Sequence, residues 1–549
     1  MPAKRWTMTF GLFLLLAVSA VAAGSFEQAL EQANRAIADK QWQAAAEAFG
    51  AASAVSELDA GQHYNHACVL ALSGSVDRAF TALEAAVNAG YTDRAHIERD
   101  PDLAPLRADP RYAALLKHAD ALLKLDQRQY GAKAIETPYA ETLSEAERIA
   151  GLSRLWSEAK YNFANFDLVP DLDWDALYLK TLPKVQQTPR TQDYYRELIA
   201  FLAQLQDGHT GVFPPDALAA QFYSRPPLRT RLIEGRVMVT EVLDDSLKQA
   251  GLKRGTEILA IDGLAVHDYV RQSVLPWVSA STPQDLRQRA YGFDLLLGPV
   301  DRTVKLRLGQ NAHDSFEVSL RRWSPSEHVA LKIPGNPAFA WKLLPGGIAY
   351  VALNHFDNSE AADQYLKQFD EIKKAKAIIF DVRRNGGGNS GEGYRILATL
   401  TDQTLATSQW QTRKYVSAWR AWGLTQAPIG ETGSWPADLE RRYEGKVVVL
   451  TSAQTYSAAE DFVGAFKGMK RGLVIGEATG GSTGQPLFLN LPGGGSARIC
   501  SKRDRLADGT EFVGVGIHPD VTVTDSVDTF RAKRDRVLDE ALLHLQENR

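Results

Sequence analysis

The stretch Val447-Val-Val-Leu-Thr-Ser-Ala-Gln-Thr-Tyr-Ser457-Ala-Ala-Glu-Asp-Phe462 constrains the fold more than any other. Val447 to Leu450 is a β-branched run without polar alternation, the pattern of a buried strand. A polar turn follows, and Phe462, Val463 and Phe466 then recur along one helical face. Ser457 stands where that helix should begin. A serine on a strand-to-helix turn is held away from the core, with its hydroxyl near free backbone N–H groups. Ser457 and Glu460 also satisfy Ser-x-x-Glu, so a plain capping box is the competing reading.

The chain has 549 residues, too many for one ordinary core, and a formal charge of −4. Lys and Arg are nowhere gathered into a run, so no nucleic-acid surface is expected. Cys68 and Cys500 lack metal-ligand spacing and read as separate buried thiols rather than a disulfide. No metal and no cofactor are expected. The N-terminus, residues 1–23, reads as an export signal. Lys4 and Arg5 are basic, Met8 to Val18 is largely apolar, and Ala20-Val-Ala22 offers a small-residue cleavage site. The apolar part is too short to span a bilayer, and no later segment qualifies. An exported protein, periplasmic or secreted, is the expectation.

Residues 24–125 are Ala-rich and helical. Ala33, Ala45, Phe49, Ala51 and Ala52 recur as Ala67, Ala79, Leu83, Ala85 and Ala86, a 34-residue period that resembles a tetratricopeptide pair. Such a region is either a docking surface for a protein partner or a spacer. Residues 126–142 read as a linker. A capping box at Ser144-Glu-Ala-Glu147 opens a helical lead-in over 143–224, which ends in Gln206-Asp-Gly-His209-Thr-Gly-Val212. Residues 225–325 are β-rich. The string from Ser246 to Gly263 resembles a PDZ domain, which implies peptide binding near Leu232, Val237 and Val239 by strand addition. The stretch from Ala265 to Pro299 is longer than such a unit needs. Residues 326–549 alternate strands and helices as an α/β layer, closed by a helix over 531–545.

After the Ala377–Val382 strand comes Arg383-Arg-Asn-Gly-Gly-Gly-Asn389. Three glycines at a strand's end let backbone N–H groups approach a ligand. The Lys and Ser/Thr of a phosphate loop are missing, and paired donors for an oxyanion fit better. Asp381-Val-Arg-Arg-Asn-Gly-Gly-Gly388, Thr455-Tyr-Ser457-Ala-Ala-Glu460, Gly476-Glu-Ala-Thr-Gly-Gly481 and Gly514-Val-Gly-Ile-His-Pro-Asp520 occur in that order. They resemble the C-terminal processing (tail-specific) peptidase family, over roughly residues 143–523. The resemblance implies a crotonase-like α/β catalytic domain within a multidomain α+β chain of helical repeats and a PDZ-like unit.

In one branch of that family a lysine follows the Gly-x-x-Thr-x-Gly string; here Ser482 stands there. Asp207-Gly-His209-Thr210 instead matches the branch similar to the tricorn core, which implies His209 as general base for Ser457. The same resemblance implies oxyanion donors at Gly387 or Gly388 and at Ala458. It also implies a glutamate that organises the site, with Glu511 the nearest candidate and Glu477 a weaker one. The reading is a serine endopeptidase acting on exported polypeptides, held by the C-terminus or an extended segment. Two alternatives are a catalytically silent binder on the same fold, and a scaffold acting through its modules. Whether the PDZ-like unit gates the site or recruits substrate stays open.

Overall fold

The computed structural model describes residues 11–309, 314–331 and 335–547. The basic start of the expected export signal lies outside them, and the chain is helical from Gly11 through Ala38. Among the described residues no helix is long and apolar enough to cross a membrane.

The chain divides into residues 1–133 and 134–549. The first unit is built of helices, among them Trp42–Val55, Ala60–Leu72, Val76–Asn88 and Pro110–Tyr130. Most of the 34-residue period turns inward: Ala33, Ala45, Ala52, Ala67, Ala79, Leu83 and Ala86 are wholly buried, and Phe49 nearly so. Ala51 is exposed and Ala85 half-buried, so that pair repeats without packing the core. Small residues let the backbones approach, and larger apolar side chains fill the space between crossings.

The second unit is organised by a sheet whose strand order is Val521–Thr522, Gly472–Gly476, Lys446–Thr451, Ala377–Asp381, Ile348–Leu353, Phe339–Leu344. All neighbours run parallel except the last pair. Alternation divides the central strand between two cores. Val447 and Val449 pack with Phe462 and Phe466 on one face, Val448 and Leu450 with Val537 and Ala541 on the other. Helices therefore cover both faces, which explains the unbroken apolar run. The closing helix begins at Arg536 rather than 531. A shorter helix, Val527–Arg531, precedes it, and Lys533 at φ 57° breaks the two apart.

The lead-in helices Glu145–Asn162, Trp174–Gln186 and Thr191–Ala203 share a core with the Pro486–Asn490 and Ser496–Cys500 strands. Gly211–Phe213 pairs antiparallel with Ser496–Cys500, which ties the His209 turn to a three-stranded sheet with Pro486–Asn490. In the β-rich unit the order is Leu228–Ile233, Arg236–Val242, Glu257–Ile261, Thr303–Gly309, Ser315–Arg321. The long stretch after Ala265 folds into Val266–Ser273, Pro283–Gln288 and a π-turn at Arg289–Phe293. Val237 and Val239 are 0% exposed and belong to this unit's core, so the expectation that they touch a peptide is corrected. Leu232 is partly buried against the same core. Alternation turned the apolar positions of the second strand inward. Both cysteines are free and buried.

Candidate active site

Ser457 sits between the Lys446–Thr451 strand and the Ala458–Gly468 helix, at φ 53° and ψ −127°. That backbone is strained for a residue with a Cβ and is held by its surroundings. The Ser457 N–H meets the Ser482 carbonyl at 3.1 Å and the Glu460 carboxylate at 3.2 Å. The hydroxyl is thereby turned out of the core, and its Oγ lies 3.0 Å from His209 Nε2.

His209 is fixed from several sides. Asp207, 2% exposed, accepts from the His209 N–H and the Thr210 hydroxyl, each at 2.9 Å, and from Asn165 at 2.9 Å. Ser279 and Ser281, in the long stretch after Ala265, accept from the Asp207 and Gly208 N–H groups at 3.1 and 2.9 Å. Tyr456 stacks on the imidazole, with ring centroids 5.3 Å apart and planes at 15°. Arg289 in turn holds the Tyr456 hydroxyl at 3.0 Å and pairs with buried Asp285 at 2.7 Å. A Cβ on Gly208 would stand 1.7 Å from the Tyr456 oxygen, which is why a glycine precedes the histidine. Burial, then the cations of Arg498, Arg289 and Lys502, push the His209 pKa down to about 3. The imidazole is neutral in the resting site and able to accept a proton.

The other ring nitrogen, Nδ1, lies 2.8 Å from the Ser482 hydroxyl. Ser482 is 0% exposed, and its backbone N–H donates to Glu460 at 2.9 Å. Glu460 also accepts from Thr479 Oγ1 at 2.5 Å and Gly481 N at 2.7 Å. Burial pushes its pKa up to about 8, against the pull of those donors. The glutamate three residues after the serine is thus more than a helix cap: it ties the serine turn to the Thr479–Ser482 loop.

Glu511 does not take the place expected of it. Its carboxylate pairs with Arg503 at 3.0 Å and Arg505 at 2.5 Å, while the histidine's second nitrogen is met by Ser482. Two guanidiniums outcompete a neutral imidazole for a carboxylate. Glu477 lies in a separate cavity with Arg231 and Asp525. The residue that stands in the lysine's sequence position is the one that reaches the histidine. Its identity was visible in the sequence, and its partner, 273 residues away, was not.

The glycine loop lies against the same turn. A Cβ on Gly387, at φ 102°, would come within 2.6 Å of the Ser457 Cβ and 3.0 Å of the Ala458 nitrogen. The Gly387 N–H already donates to the Asn385 side chain at 2.9 Å. Gly388 lines both cavities that contain Ser457, of about 440 and 540 Å³. Of the two glycines, Gly388 therefore keeps its N–H available beside the serine. Lys502 lines the smaller cavity and pairs with Asp504 at 2.9 Å. Among the described residues no cluster of His, Cys, Asp and Glu could hold a metal ion.

A serine on a strained turn of an α/β sheet, facing a neutral histidine, is the arrangement of a serine-type peptidase. Residues 347–523 match the model of peptidase family S41. The chain is 27% identical over 375 residues to the chloroplastic C-terminal processing peptidase of Tetradesmus obliquus, covering 64% of this chain and 71% of that one. It is 25% identical over 180 residues to the carboxyl-terminal-processing protease of a Picosynechococcus species, covering 32% of this chain and 39% of that one. Mature CPAF complexed with lactacystin shares the fold at a TM-score of 0.59 and 15% identity, covering 74% of this chain and 99% of that one. The S41 segment includes Ser457, Ser482 and the glycine loop; His209 lies upstream of it.

Proposed function

We propose that this peptidase hydrolyses internal peptide bonds of exported polypeptides, with Ser457 as nucleophile and His209 as general base. The observation that carries the reading is the Ser457–His209–Ser482 chain, at 3.0 and 2.8 Å. Nδ1 donates its proton to Ser482, which leaves the Nε2 lone pair facing the Ser457 hydroxyl. As the Ser457 oxygen attacks the substrate carbonyl, Nε2 takes its proton. The carbonyl oxygen, now negative, is received by the N–H groups of Ala458 and Gly388. The imidazolium then gives its proton to the leaving amine, and an acyl group remains on Ser457. Water, deprotonated by His209, releases it and restores the serine.

The substrate is a polypeptide held by its C-terminus or an extended segment, as the names of the processing relatives suggest. The 34-residue repeats in residues 24–125 are proposed to dock a protein partner, and the basic, apolar N-terminus to direct export. A fluorophosphonate probe tests the chemistry. The wild-type chain should label at Ser457 and cut an unfolded reporter, and Ser457→Ala should do neither. A wild-type chain that fails to label, while still binding peptide, would make it a silent binder.

A further inference from the structure

The approach to Ser457 is cationic on one side. Arg384, just past the Ala377–Asp381 strand, lines the cavity of about 540 Å³ that holds His209 and Ser457. Arg384, Gln288 and Gln454 also line a cavity of about 1020 Å³, so the two spaces share a wall. The larger space runs beside the Leu228–Ile233 strand. Its guanidiniums are those of Arg229, Arg231, Arg254 and Arg384, against one carboxylate, Glu241. Arg231 is paired with Asp525, and Arg254 lies over the Phe530 ring. Arg229 and Arg384 make no ion pair or side-chain hydrogen bond to any described residue. Burial, and then Arg231 and Arg384, hold Arg254 below its ordinary pKa. Four guanidiniums thus line this space against one lining carboxylate, Glu241, which stands opposite Arg229 across the strand pair. Beyond Ser457 the sign reverses: the cavity of about 440 Å³ is lined by Asp357, Asp461 and Asp504 with Lys502.

We infer that the cleft selects polypeptides carrying Asp or Glu side chains on one side of the scissile bond; the inference rests on the peptidase reading above. Arg229 and Arg231 sit two apart on one strand, at a spacing of about 6.7 Å along it. An extended peptide repeats its side chains at the same interval, so acidic residues at alternate positions can face Arg229 and the Arg231–Asp525 pair in turn. Carboxylate–guanidinium contacts are charge-assisted and stronger than neutral hydrogen bonds. A lone chain-terminal carboxylate could satisfy only one of Arg229 and Arg384, whereas two acidic side chains could meet both.

The test uses the full chain and quenched-fluorescence peptides with one neutral core. Glu-x-Glu or Gln-x-Gln is placed on either side of the cleaved bond, with the C-terminus free or amidated. Glu-x-Glu on one side should raise kcat/KM on the order of tenfold over Gln-x-Gln, irrespective of amidation, and the gain should shrink in high salt. On the other side it should slow cleavage. In the R229Q/R384Q double variant the Glu-to-Gln ratio should fall towards one. The ratio is taken within each protein, so a loss of folded enzyme cancels. Equal cleavage of the Glu and Gln peptides would overturn this inference alone. So would a ratio that survives in the double variant, or a preference that follows the free C-terminus. Cleavage of no peptide at all would overturn the peptidase reading, and this one with it.

Discussion

Removing the Ser482 hydroxyl isolates the least familiar part of the site. In Ser482→Ala the His209 Nδ1 loses a partner at 2.8 Å, while the backbone bonds of residue 482 to Ser457 and Glu460 remain. A hydroxyl accepting from neutral imidazole contributes about 1 kcal/mol, and from imidazolium about 1.5–3 kcal/mol, so the transition state loses more than the resting enzyme. The tautomer with Nδ1 protonated also loses its preference, at a cost of about 1 kcal/mol. At 1.36 kcal/mol per decade, kcat/KM should fall by roughly 10- to 100-fold. A buried carboxylate in that position would be worth about 10⁴-fold, because it carries a full charge opposite the imidazolium. The assay is hydrolysis of a quenched peptide, with the fluorophosphonate labelling rate as a second readout and the melting temperature as a check on folding. An effect under about twofold would refute the orienting role. A loss equal to that of Ser457→Ala would place Ser482 in the chemistry itself.

Ser457→Ala should eliminate turnover at a stability cost of about 1 kcal/mol or less, since only the outward hydroxyl is removed; residual casein cleavage by the pure variant would refute the nucleophile. His209→Ala should lower kcat by about 10³-fold or more, and a loss below tenfold would point to Lys502 as the base. The folded His209 pKa is depressed to about 3, so the acid limb of kcat/KM should fall well below pH 6.5; a limb centred near 6.5 would contradict the burial of the ring. The unfolded chain takes up that proton more readily, so this residue's contribution to stability is present above pH 6.5 and is lost as pH falls towards 3. Urea midpoints at pH 7 and 4.5 should accordingly drop less in His209→Gln than in wild type. Arg289→Ala strands the buried carboxylate of Asp285 and should cost about 3 kcal/mol in denaturant unfolding, together with activity; a change under 1 kcal/mol would mean Asp285 finds another donor.

What could be read from the sequence was the part whose physics is local. The Val447–Leu450 run, the turn and the spaced aromatics announce strand, serine and helix because each follows from neighbours a few residues apart. His209 was legible only through its motif. Its role depends on the pairing of Gly211–Phe213 with Ser496–Cys500, a contact across nearly three hundred residues. Glu511 was misplaced for the opposite reason. Closeness to the glycine string made it a candidate, but the Arg505–Glu511 bridge and two arginines decide where its carboxylate goes. The choice between Gly387 and Gly388 turned on one side-chain bond, from the Gly387 N–H to Asn385, that no composition or period reveals.

The long stretch after Ala265 alters how the β-rich unit must be understood. On sequence it is only longer than a PDZ-like unit needs, in a unit that either gates the site or recruits substrate. Ser279 and Ser281 instead cap the turn that carries His209, Thr282 donates to the Gly480 carbonyl at 2.8 Å, and Arg289 steadies Tyr456 against the imidazole. The unit that would receive substrate is therefore bonded to the base that would cut it. A shift of the Ser279–Ser281 segment on peptide binding would be passed to the Asp207–His209 turn through the bonds at 3.1 and 2.9 Å. Deleting the unit should thus abolish chemistry as well as selection. A deletion variant that still labelled with fluorophosphonate at the wild-type rate would show that the His209 turn stands without it.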